Sequence, residues 1–144
     1  MYVMESQQGN KGAAYAAAVE RLRSAVGYPD AEGASALVVD GAEIAVLPGA
    51  GSRLRLERRL PADAGDLERL ASYAPGRMLR DKAVLAADDA GRPFLWQEAP
   101  DSLDERALRR FFEEFLDSCD WWLARLETMR EQPAARFPEV MIRP

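Results

Sequence analysis

Histidine is absent from this 144-residue chain, which removes the commonest general base and the commonest metal ligand together. Chemistry would then rest on carboxylates, lysine, tyrosine or the single cysteine, Cys119. Three acidic groupings have the density of an acid–base or metal site: Asp88-Asp89, Asp101/Asp104/Glu105 and Glu113-Glu114. Each has a simpler reading. The first falls in the turn "DDAGR", the second at a helix start, and the third on the polar side of a long helix. "GAGS" at 49–52 is glycine-rich, but it joins two strands and offers no helix N-terminus to a phosphate. A Ser-His-Asp set cannot exist without histidine. Cys119 alone can neither close an internal disulfide nor build a zinc site. The expectation is a protein that binds rather than catalyses, with no cofactor and no metal.

The elements that would position a binding surface follow from hydrophobic period. Tyr15, Ala18, Val19, Leu22, Ala25 and Val26 recur at helical spacing and predict a first helix over 13–26. "LVVDGAEIAVLPG" (37–49) sets two short apolar runs around Asp40-Gly41, a strong hairpin signal. Strand parity puts Leu37, Val39, Ile44 and Val46 on one face and Val38, Glu43, Ala45 and Leu47 on the other. The first face is core; the second is only partly polar. "RLRLERRL" (53–60) alternates as a half-buried antiparallel strand. A short helix over 65–74 is predicted to stop at Pro75-Gly76. A second hairpin joins "AVLAA" (83–87) to "PFLWQEA" (93–99), with Gly91 supplying a positive-φ turn residue.

The last helix is the clearest element. "SLDE" (102–105) reads as a capping box, with Ser102 as N-cap and Glu105 reaching back. Leu108, Phe111, Phe112, Phe115, Cys119, Trp122, Leu126 and Met129 form one broad stripe, so Cys119 is expected to be an inert core thiol. Trp121 falls almost opposite that stripe, among Arg110, Glu114 and Asp117. It either contacts the tail, a second subunit or a partner, or lies across its own helix. Residues 1–12 are expected to be a flexible N-terminus, 13–130 one domain, and 131–144 a Pro-rich extended tail. The order α-β-β-β-α-β-β-α predicts an α+β fold, a twisted antiparallel sheet with helices packed mainly on one face.

Composition narrows the partners. Lys and Arg number 19 against 24 Asp and Glu, a net charge of −5, which disfavours nucleic acid and anionic membrane. No apolar run approaches the ~20 residues of a membrane span, and the start lacks signal-peptide character, so a cytoplasmic location is expected.

The stretches "ALVVDGAEIAVL", "KAVLAADDAGRPFLW" and "LDERALRRFFEEFLDSCDWWLARLETM" complete the pattern. In element order and in these motifs the sequence resembles the class I type III secretion chaperones, the family that includes the chaperone of the translocated intimin receptor. The likeness covers residues 13 to about 130. It implies a homodimer that uses no nucleotide and holds an N-terminal segment of a secreted effector in extended form. The apolar residues Leu67, Leu70, Tyr73, Met78, Leu79, Val84 and Leu85 exceed what a thin helix-on-sheet layer needs, and the resemblance places the two-fold interface there. Tyr15, Val19, Leu22, Leu54 and Leu56 are the expected client groove, where most of them must also serve the core. Val38, Leu47 and Trp121 extend that client surface. A small α+β adaptor or regulatory domain binding a folded partner outside secretion is the second expectation, and a small-molecule enzyme the third.

Overall fold

The structure, a computed structural model, describes residues 16–26, 36–50, 53–78, 80–100 and 104–132. Helix α1 occupies 16–26. Strands β1 (Ala36–Val39), β2 (Ala42–Pro48) and β3 (Leu54–Arg59) follow, then a 3-10 turn (Ala64–Asp66) leading into α2 (Leu67–Ala71) and α3 (Ala74–Met78). Strands β4 (Val84–Ala87) and β5 (Pro93–Glu98) precede α4 (Glu105–Glu131). The expected α+β class and antiparallel sheet are observed. All five strands form one sheet in the order β1-β2-β3-β5-β4, so β5 folds back between β3 and β4 and leaves β4 at an edge.

Local chemistry explains each join. Val39 pairs with Ala42, which confines the first turn to Asp40-Gly41, and both have positive φ (50° and 79°). That is the primed turn whose twist matches the flanking strands. In the second hairpin Gly91 has φ 80°. There the Asp88 carboxylate accepts from the Ala90 and Arg92 backbone N–H groups, both at 2.9 Å, and fixes the loop.

Two sequence expectations need correction. Pro75 and Gly76 do not end the helical segment: the chain turns at Ser72-Tyr73 and re-enters a helix at Ala74. Pro75 therefore sits in the first turn of α3, where a missing N–H costs nothing because no acceptor precedes it. The cap of α4 lies two residues beyond the predicted one. Asp104 is the N-cap and accepts from the Ala107 N–H at 2.7 Å. Ser102 lies outside the described residues, and Glu105 is itself the first helical residue.

One face of the sheet carries the core. Leu37, Ile44, Val46, Leu54, Leu56 and Leu95 meet α1 through Val19 and Leu22, and α4 through its whole predicted stripe from Leu108 to Met129. Phe115 and Trp122 are the largest fully buried side chains. Phe115→Ala should therefore cost about 3–5 kcal/mol of unfolding free energy, by transfer loss plus cavity. Asp104→Ala, which removes the cap bond to Ala107, should cost at least about 1 kcal/mol. Urea unfolding followed by helical circular dichroism measures both.

Candidate functional site

Strand register assigns the second face of the sheet. Ala45 stands opposite Glu57, Glu57 opposite Trp96, and Trp96 opposite Val84. The neighbouring row runs Arg59, Phe94, Ala86, and the row on the other side runs Leu47, Arg55, Glu98. Val38 and Glu43 pair at the β1 end. Ala45, Leu47, Val84, Phe94 and Trp96 are half-buried, yet none belongs to the core cluster or packs against it. Val38 is 46% exposed and is the one large hydrophobic among the described residues that stands so far out. This face is an aliphatic margin on β1 and β2, a charged seam on β3, and an aromatic–aliphatic margin on β5 and β4.

The seam partly shields the margin. The Arg55 guanidinium lies 4.1 Å from the Trp96 ring centroid and also pairs with Glu57 at 3.1 Å. Arg59 bonds Asp88 at the second hairpin turn. At this end of the face a depression of about 820 Å³ is lined by Glu43, Ala45, Glu57, Asp88, Asp89 and Phe94, among others. None of its lining comes from a helix. Nothing in the arrangement resembles a catalytic set, and no group of three or more His, Cys, Asp or Glu among the described residues is placed to hold a metal ion.

The structure distributes the sequence-derived candidates unevenly. Val19, Leu22, Leu54 and Leu56 are at most 2% exposed and form the core beneath the helices, so they present no surface to a client. Their apolar spacing reflects helix-on-sheet packing. Tyr15 and Leu79 lie outside the described residues, as does the side chain of Met78. Val38 and Leu47 do share the open face. Of the interface candidates, Leu70 is fully buried in the core, while Tyr73 and Leu85 pack against the core from its margin. Leu67 and Val84 are half-buried outside it.

Trp121 is half-buried rather than displayed. Its ring stands perpendicular to Trp122 with centroids 5.1 Å apart, and Arg77 of α3 and Arg125 of α4 approach it at 4.8 and 5.1 Å. Arg77 in turn pairs with Asp81 at 2.6 Å, and Asp81 accepts from the Ser118 hydroxyl at 2.8 Å. Trp121 thus belongs to a seam joining α3 to α4. Cys119 is buried, as its stripe position predicts. Burial pushes its thiol up to about 11, against the opposing pull of the Arg58 guanidinium.

Phe94 and Trp96 are the surface residues that sequence reasoning missed. In "PFLWQE" the bulkier parity, Phe94 and Trp96, faces outward, while Leu95 and Gln97 turn to the core and are buried. The alternation was legible; which parity faced inward was not, because Gln97 is the more polar choice for a core. Compared with protein-family models and with curated protein sequences, the chain returns no match.

The hairpin turn beside the depression makes a pH dependence. The Asp88 carboxyl is held below its usual 3.8, first by the Arg92 N–H and then by Arg59 and the Ala90 N–H. A lowered carboxyl contributes stability above its unfolded value and loses it as pH falls through the folded one. The wild-type melting temperature should therefore fall on acidification below about pH 5. Asp88→Ala should lower it at neutral pH and flatten part of that acid slope, as read by melts across the range.

Proposed function

We propose that this protein is a cytoplasmic, non-enzymatic chaperone of the type III secretion kind. In this reading it binds an extended N-terminal segment of a secreted effector and keeps it soluble and competent for export. The observation that supports the reading best is the sheet face that no described element covers, where Val38, Ala45, Leu47, Val84, Phe94 and Trp96 alternate with charge between two strand edges that no described strand covers. A partner in extended conformation matches such a surface, because its side chains alternate with the same period as the strands. No helix among the described residues is long and apolar enough to cross a membrane.

The same reading makes the protein a homodimer. Leu67 on α2 is half-buried without joining the core and lies in the stretch assigned to the two-fold contact. Light scattering should give twice the 16.0 kDa chain mass. Leu67→Glu should shift that mass toward the monomer while the helical circular dichroism spectrum stays that of the folded chain, and its melting temperature should no longer depend on protein concentration. Leu70→Arg would not serve, because Leu70 is core and the variant would unfold. A concentration-independent monomer overturns the dimer.

The function itself is tested by co-expression with the N-terminal portion of the effector encoded by a neighbouring gene. A stable complex should form, and the bound segment should resist protease without folding into a compact domain of its own. Binding restricted to folded partners would favour the adaptor reading, and turnover of a metabolite would favour an enzyme. Either result overturns the chaperone.

A further inference from the structure

The charge on the open face restricts which extended chains it accepts, and this inference rests on that face being the binding surface. The depression around Phe94 is lined by four acidic side chains, Glu43, Glu57, Asp88 and Asp89, against two basic ones, Arg58 and Arg59. Arg59 is engaged by Asp88, and Glu57 by Arg55. Arg58 lies on the core-facing parity of β3, opposite Leu95 and close to Cys119. Glu43 and Asp89 are exposed and have no ion-pair partner among the described residues. The depression therefore sets Ala45 and Phe94 within a lining that carries a net negative charge.

A second copy is a poor occupant. A two-fold contact centred on the depression would set two net-negative linings against each other, and like charges facing each other across an interface oppose association. The complementary occupant is cationic. Along an extended chain, side chains on one face recur every two residues, about 6.6–6.8 Å apart. Phe94 and Trp96 have that same separation in sequence on β5, with the acidic rim beside the first and Val84 beside the second.

We propose that the open face selects extended segments in which an arginine or lysine stands two residues from a large apolar side chain. The cation takes the depression over Phe94, and the apolar residue takes the surface of Trp96 and Val84. Charges at such a rim act through salt-sensitive attraction and through rejection of the wrong sign.

Fluorescence anisotropy with three labelled peptides tests this on the full chain. The first repeats Val-Thr-Arg-Thr, the second replaces arginine with glutamate, and the third replaces valine with serine. The first should bind about tenfold more tightly than either of the others and weaken as salt rises. The double variant Glu43→Lys with Asp89→Lys should reverse the preference between the first two. Trp96→Ser should weaken the valine peptides and leave the serine peptide unchanged. If the charge reversals unfold the protein, Glu43→Gln with Asp89→Asn should bring the two charged peptides to parity. Equal binding of arginine and glutamate peptides, an unchanged preference in the double variant, or no binding of any peptide overturns the inference. Capture of an effector segment without an arginine preference leaves the chaperone reading standing and overturns this selectivity alone. An arginine preference without effector capture does the converse.

Discussion

The contact between α4 and one face of the sheet is the interaction on which the rest depends. Phe111, Phe112, Phe115, Trp122, Leu126 and Met129 all reach full burial from a single helix. Burying one such side chain is worth about 1.5–3 kcal/mol, so this stripe supplies a large part of the hydrophobic stabilisation. Arginines then fix the helix in place. Arg69 donates to the Met129 and Gln132 carbonyls at 3.1 and 2.7 Å at the helix C-terminus, where the Met129 carbonyl also accepts the Gln132 N–H at 3.2 Å. Arg130 donates to the Pro61 carbonyl, and Arg109 to the Ala25 carbonyl at 3.1 Å, tying α4 to α1. A stripe at helical period and a sheet face at period two must meet in one register, and these bonds hold it.

With the described helices packed against one face of the sheet, the other face is managed, among the described residues, by side chains. The chain does so by placing Arg55, Glu57 and Arg59 on β3, the middle strand, where they flank both apolar margins. Exposed ion pairs of this kind contribute about 0–1 kcal/mol each, and an exposed cation–π contact about 0.5–1 kcal/mol. Their value lies elsewhere. Arg55 lies over Trp96, and so weak a contact would be displaced at small cost by the partner proposed for this face.

How much of this was legible varies with the physics of each element. The final helix, its stripe and the Asp40-Gly41 turn were plain, because helical period and positive-φ chemistry are local properties. The α4 cap was misplaced because Ser102, Asp104 and Glu105 all suit a helix start, and only geometry selects Asp104. Pro75 was read as a terminator because sequence alone does not separate a first-turn proline from a breaking one. The candidate surface was half legible. The outward parity of the first hairpin exposed Val38 and Leu47, but the groove assigned to Val19, Leu22, Leu54 and Leu56 is core. Any apolar position at the right period satisfies both readings until the opposing layer is seen. The partner of Trp121 was illegible for a simpler reason: Arg77 is 44 residues away in the chain and meets it only through the α3–α4 contact.

On the proposed reading, the short edges determine how an extended chain can be held. Strands β1 and β4 have four residues each, and in a strand only alternate residues direct their backbone groups outward. An added strand on either edge would make only a few backbone hydrogen bonds, each worth about 0.5–1.5 kcal/mol net. Micromolar affinity requires about 8 kcal/mol after the entropy of ordering the bound segment has been met. Edge pairing alone falls short of that. The balance has to come from apolar surface, and among the described residues the large apolar groups outside the core near the two edges are Val38 on β1 and Leu47 on β2 at one side, and Val84 on β4 with Trp96 and Phe94 on β5 at the other. Short edges also limit unwanted sheet-to-sheet growth. On the proposed reading, the same truncation that protects the free protein would shift recognition from the backbone to the side chains of the apolar margins, those of β5 among them.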